Sequence, residues 1–202
     1  MSKNGMRLLG RVGLLLGIAQ VLLVILSWLL SATRMEGVRS LLSSEGVRWF
    51  IGCFTQMTAS VALVWLLLLL IALGCIQKSG VPKLFTTSRQ PLSYRERIAL
   101  RVSFAFLIIF LGIVSLLTLM PHAILLSATG SLFPSAFSHS LVPLTCFGIS
   151  LFSISFGMMS GRLRSLADIM EALSFGIQKG APLLVVYILF MQFYESLWFV
   201  FG

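Results

Sequence analysis

The chain has 202 residues, of which 58% are hydrophobic and only 10% charged, with a mean hydropathy of +1.02. A soluble domain of this length cannot hide that much apolar surface from water, so composition excludes a water-soluble globular protein. The net charge of +9 does not signal nucleic-acid binding, because the basic residues fall between apolar runs and not on one face.

Residues 12–33, 49–77, 102–161 and 180–194 carry no Asp, Glu, Lys or Arg. About 20 apolar residues in a helix cross roughly 30 Å of hydrocarbon. The pattern predicts an all-α, polytopic membrane protein with five spans near 12–31, 59–76, 102–120, 142–160 and 182–199. The first run is too long for the apolar region of a signal peptide, and no A-x-A-like cleavage site follows it. Within it, Gly13 and Gly17 form a G-x-x-x-G pair that lets helices approach closely.

After the first span, Val38, Leu41, Leu42, Trp49 and Phe50 make an apolar stripe. It predicts an amphipathic helix over about 38–55 lying at the membrane edge, with Trp49 at headgroup level. The stretch from Trp49 to Gln77 holds 29 uncharged residues, about 44 Å as one helix, more than one span needs. The polar patch "TQMTAS" (55–60) is the expected break. The next basic segment, 77–101, reads as a loop, and the hairpin at 121–140, with Pro121, Gly130 and Pro134, reads as a turn-rich excursion. Near the end, Ser165 and Asp168 form an S-x-x-D helix-start signal. A second short amphipathic helix is expected over 165–179, with Ile169, Met170, Leu173, Phe175 and Ile177 on its apolar face. Gly180 and Pro182 then punctuate the step into the last span.

Charge sets the topology. Lys3, Arg7 and Arg11, the six basic residues of 77–101, and Arg162, Arg164 and Lys179 put twelve on one side; Arg34, Arg39 and Arg48 put three on the other. Basic residues favour the cytoplasmic side, which places the N-terminus in and the C-terminus out. The expected organisation is a single membrane domain, 1–202. It comprises a first unit at 12–76, a cytoplasmic loop at 77–101, a linking span at 102–120 and an inverted second unit at 142–199. Inverted units are a signature of secondary transporters.

No HExxH, CxxC, GxxxxGK[ST] or Ser/His/Asp arrangement occurs. Cys53, Cys75 and Cys146 lie in apolar runs without metal spacing, and His122 and His139 fall in one loop region. No enzyme activity, cofactor or metal is expected. The polar residues that stand out as a lining are Gln56 and Thr58 at the break, and Gln192 and Glu195 in the last span. Glu195 is the only acid inside an expected span. Trp28, Trp65 and Trp198 suit the aromatic belt.

"SLLSSEGVRWFIGCFTQMTASVALVWLLLLLIALGCIQKSGV" resembles the early segment of the p-aminobenzoyl-glutamate transporter (AbgT) family, including its LLS-x-EG start and the Lys78-Ser79-Gly80 end. "LSYRERIALR", with Glu96, Ala99, Leu100 and Arg101, is similar to that family's E-x-x-A-L-R entry to a later span. From Pro121 to Leu173 the order of motifs also matches: the proline after a span, P-S-x-F at 134–137, the Val142-Pro143 doublet, and G-x-x-x-G from Gly157 to Gly161 ahead of Asp168. "YILFMQF" keeps the Gln192-Phe193 pair.

The resemblance implies transport of p-aminobenzoyl-glutamate or a similar aromatic acid by sodium- or proton-coupled alternating access, in a bacterial-type inner membrane. The family is more than twice this length and builds its sites from two re-entrant hairpins. Where the first hairpin should fall, between Gly80 and Leu92, this sequence has only "VPKLFTTSRQP". The F-x-P-L-G break is replaced by "SVALV" (60–64), and the entry to the second hairpin by "WFVFG" (198–202). What remains resembles the scaffold and dimer-forming spans. The partners expected are the lipid bilayer, a second copy or a companion transporter chain, and an aromatic acid solute. The rival reading is a non-transporting structural or accessory protein, or a degenerate remnant of such a transporter.

Overall fold

The computed structural model describes residues 3–33, 37–86, 93–119 and 136–202, with the backbone alone at 85, 86, 119 and 136–139. Helix accounts for 88% of the described residues, and no strand occurs among them. In chain order the helices are α1 (Lys3–Ala32), α2 (Ser44–Gly52), α3 (Phe54–Thr58), α4 (Val61–Ser79), α5 (Val81–Thr86), α6 (Tyr94–Leu119), α7 (Ala136–Met159) and α8 (Leu166–Phe201). Five of these, α1, α4, α6, α7 and α8, are long and apolar enough to cross a membrane, as a multi-pass protein requires. Contacts gather the chain into two compact units that do not follow chain order: 1–64 with 179–202, and 65–178.

In the first unit α1 and the end of α8 run parallel. A Cβ on Gly13 would touch Leu189, and Gln20 bonds Ser196, the same offset along both helices. The segment after α1 folds back onto their ends. Arg39 donates its N–H to the Val200 carbonyl at 3.0 Å, capping an orphan carbonyl of the last turn, and the Leu41 N–H reaches Ser27 Oγ at 3.1 Å. Leu23, Leu41, Phe199 and Val200 form the buried cluster there, and Trp49 stacks on Phe199 with ring centroids 4.3 Å apart. Trp28 and Trp198 are exposed near the same end, where amphipathic rings suit a membrane–water interface.

In the second unit α6 and α7 pack antiparallel. Phe104 meets Phe152 edge-on at 5.2 Å, Phe110 meets Phe147 at 5.4 Å, and Ala99 and Phe156 share a fully buried cluster with Val81 of α5. The closest approach joins α4 to the start of α8. A Cβ on Gly176 would overlap the Leu70 carbonyl, and one on Gly74 would overlap the Gly176 backbone and the Ala172 carbonyl. Ala172 and Gly176 are four apart, the small-xxx-small spacing that lets two helix backbones touch.

Both interiors are built from small and polar groups. Ser27, Ser79, Ser103, Ser153 and Ser196 are buried almost completely, as are Ala72, Ala99 and Ala172. Leu14, Phe106, Ile108 and Ile113 are exposed, and in the most apolar 18-residue window of α6 only 6% of residues are buried. Water would penalise that surface by roughly 25 cal/mol per Å², whereas lipid accepts it.

Several expectations change. The stretch at 165–179 is not a separate short helix; α8 runs unbroken for 36 residues through Gly180 and Pro182. Pro182 lacks the N–H that would bond the carbonyl of residue 178. That carbonyl lies beside exposed Gln178 and Lys179, where water can satisfy it, so the helix continues. Its start follows the sequence signal: Asp168 N–H donates to Ser165 Oγ at 3.2 Å and Ser165 N–H to Asp168 Oδ2 at 3.0 Å, a reciprocal cap. The helix expected from 38 begins only at Ser44, because Ser43 caps it by accepting from the Gly46 N–H at 3.0 Å. The long second segment breaks at Cys53 and again at Ala59–Ser60, the latter inside the expected patch. α6 starts at Tyr94, inside the expected 77–101 loop, where Ser93 donates its N–H to Glu96 Oε2 at 3.2 Å. The excursion through Pro121, His122, Gly130 and Pro134 lies outside the described residues, as does the side chain of His139.

Gly176→Ala should cost roughly 2 kcal/mol or more, because a backbone carbonyl cannot swing aside. Gly112→Ala, with open space around it, should be neutral or stabilising by up to about 1 kcal/mol. Thermal unfolding of the two variants in detergent micelles checks the contrast.

Candidate functional site

The polar groups that could serve a solute near the centre of an apolar helix collect in the first unit. Gln20 lies close to the middle of the uncharged run of α1 and donates through Nε2 to Ser196 Oγ at 2.9 Å. Ser196 in turn donates to the Gln192 carbonyl at 2.6 Å, one turn back on α8. Gln192 is 8% exposed. Closer to the start of α8, the Tyr187 hydroxyl bonds Ser60 Oγ at the break before α4. That contact supplies a partner where the helix is interrupted, and the backbone there is also internally paired: Ala59 N–H reaches the Thr55 carbonyl at 2.9 Å and Ser60 N–H the Thr58 carbonyl at 2.9 Å.

Of the residues singled out in the sequence, only Gln192 is buried in this cluster. Gln56 is exposed. Thr58 is half-buried, and its hydroxyl is spent on its own helix, donating to the Phe54 carbonyl at 2.6 Å. Glu195 is half-buried on α8, three residues after Gln192. Ser60, Tyr187 and Ser196 were not singled out. The i,i+4 spacing of Gln192 and Ser196 was the available signal for one of them; the Ser60–Tyr187 pair, 127 residues apart, left none. The Gly13/Gly17 pair also divides, Gly13 facing Leu189 while Gly17 has nothing within 4 Å.

In the second unit the charged groups gather at the helix ends. Arg162 Nη2 donates to Glu96 Oε1 at 3.0 Å, with about a quarter of each side chain exposed. Gly80, at φ +81°, lies directly under the Arg162 guanidinium, which leaves no room for a side chain. Arg95 Nε donates to the Met159 carbonyl at 3.3 Å. Lys78 pairs with Glu171 and sits 4.6 Å from the centre of the Phe175 ring. Part-exposed pairs of this kind contribute about 0–1 kcal/mol each, so they fix helix ends more than they stabilise the fold. Among the described residues no group of three or more His, Cys, Asp or Glu could hold a metal.

Two of the grooves are apolar. One of about 310 Å³ between α6 and α7 is walled by Leu107, Phe110, Val114, Leu141, Leu144 and Ile149. Thr145 also borders it, but its hydroxyl donates to the Leu141 and Val142 carbonyls of its own helix. Another, of about 600 Å³ in the first unit, is walled by residues such as Met6, Leu9, Pro182, Val185 and Leu189. Neither offers donors for a carboxylate. Comparison with family models, curated proteins and solved structures gives no match to this chain.

Asp168, in the first turn of α8 and upstream of its uncharged run, is held below the usual carboxylate value. The Arg164 and Ser165 backbone N–H groups are the main cause. A lowered folded-state value means that this cap stabilises the fold above the unfolded carboxylate range and loses that effect as pH falls through the folded value. Between about pH 6 and pH 3 the wild type should lose more thermal stability than Asp168→Asn, as unfolding in micelles would show.

Proposed function

We propose that the chain is a membrane scaffold built on the plan of the p-aminobenzoyl-glutamate transporters, and that it does not by itself carry solute across the bilayer. The observation that carries this reading is the interrupted second membrane segment. Residues 44–79 break at Cys53 and at Ala59–Ser60, and Ser60 at the second break bonds Tyr187, well inside α8. Transporters interrupt their helices where a solute or ion is bound, because freed backbone is tolerated in the bilayer only against protein or a water-filled cavity. The motif order from "LLSSEG" to Gln192-Phe193 and the parallel first and last helices support the same plan. Parallel first and last helices fit an odd number of spans, and the twelve-to-three basic asymmetry supports an N-in, C-out arrangement in an inner membrane. An inverted repeat has weaker support, since its second short helix is fused into α8.

The scaffold half of the reading rests on chemistry. An anionic aromatic solute needs aimed donors, such as helix N-termini, amides or a cation. Here Gln20 Nε2 is spent on Ser196 and Ser60 on Tyr187, and the Gln192 Nε2 is the one unpaired donor of this group. The Lys and Arg residues lie outside the uncharged runs, and "VPKLFTTSRQP" stands where the first hairpin would be. A second copy or a companion chain would have to complete any transport site, and a non-transporting accessory role fits the same observations.

Purified chain in liposomes with imposed sodium or proton gradients should show no accumulation of labelled p-aminobenzoyl-glutamate. Saturable uptake that Gln192→Ala abolishes would overturn the proposal. A fused reporter after Gly202 should be active only when it requires export; activity confined to the cytoplasm would reverse the topology.

A further inference from the structure

The amide of Gln192 poses a problem of its own. Neither its Nε2 nor its Oε1 has a hydrogen-bond partner among the described residues, and Gln20 Oε1 lacks one as well. Gln192 is 8% exposed, so outside solvent does not reach it. Both residues converge on Ser196, Gln20 through its side chain and Gln192 through its carbonyl, which puts three unpaired polar atoms within about one turn of the α1–α8 contact. A buried polar atom without a partner is costly in any low-dielectric interior, and more so where lipid surrounds the helices.

Two other hydroxyls of the first unit are already committed. Ser27 Oγ donates to the Val24 carbonyl and accepts from the Leu41 N–H. The Tyr187 hydroxyl is taken by Ser60. The unpaired set contains two acceptors and one donor, and exchanging the oxygen and nitrogen of Gln192 leaves that count unchanged. A cation would meet an N–H donor beside the two oxygens. An anion would meet two carbonyl oxygens. What matches is a small neutral molecule that both donates and accepts.

We propose that Gln20, Gln192 and Ser196 form an internal water-binding site between α1 and α8. One or two waters donate to Gln20 Oε1 and Gln192 Oε1 and accept from Gln192 Nε2, within the two to four bonds that a buried water makes. The bridge ties the two helices in register, since sliding either by one residue carries its amide away from the shared water. This site stands independently of the transporter reading, because it requires only that α1 and α8 pack as described.

The test uses the full chain in lipid bilayers with ¹⁵N-labelled glutamine side chains. Water-edited solid-state NMR should show magnetisation transfer from water to the Gln192 amide, assigned by its loss in Gln192→Leu. The same variant should melt several degrees below wild type, with part of that loss recovered in the Gln20→Leu/Gln192→Leu double variant, which removes both amides. Absence of transfer to the wild-type amide overturns the site whether or not the variants fold. So does a Gln192→Leu protein as stable as wild type or more so, because it would mean that the amide is dry.

Discussion

Lipid offers no hydrogen bonds, and that constraint shapes nearly every feature of this protein. A helix surrounded by hydrocarbon must satisfy its own backbone, and it gains little by burying leucine against leucine. The helices are therefore held together by what hydrocarbon cannot replace: close backbone approach and hidden polar contacts. At Gly74 and Gly176 the missing side chains let α4 and α8 meet backbone to backbone. Ser27 joins α1 to the returning segment through the Leu41 N–H, and Ser196 joins α8 to Gln20. The large apolar side chains, Leu14 and Ile108 among them, are left outside for the bilayer.

The same constraint explains the treatment of helix ends. Ser43, Ser93 with Glu96, and Ser165 with Asp168 each satisfy N–H groups at a helix start, while Arg39 serves a carbonyl at the end of α8. Glu96 has a second task, since its other oxygen accepts from Arg162 and so links the start of α6 to the turn after α7. These charged and polar caps lie at the margins of the uncharged runs, where water can assist. A cap of this kind lets a helix outrun its apolar stretch, and both α6 and α8 do so.

Away from those margins the options narrow. The break at Ala59–Ser60 is tolerated because Tyr187 supplies a hydroxyl and the local backbone pairs with itself. The Gln20–Ser196 contact is a further polar link between helices. Both engage side chains that a solute-binding protein would keep free, and this supports the proposed scaffold role. The Gln192 amide is the exception, buried and without a protein partner among the described residues, and it is the place where small-molecule chemistry has the most to act on.

The sequence by itself determined the class of structure, since four long runs without a charge give helices long and apolar enough to cross a membrane. It also located helix starts, at Ser165 through its S-x-x-D spacing, and the break near Ser60 through its polar patch, because caps and breaks depend on neighbours within a few residues. Gln192 was legible as a polar residue in an apolar run, but its burial and unpaired state were not. Tertiary structure alone decided which polar residues meet: Gln20 with Ser196 and Ser60 with Tyr187 are separated by 176 and 127 positions. It also decided that Gln56 faces outward and that Pro182 does not end its helix. Periodicity reports which face of a helix is apolar. In a membrane both lipid and neighbouring helices accept an apolar face, so only packing can tell one from the other.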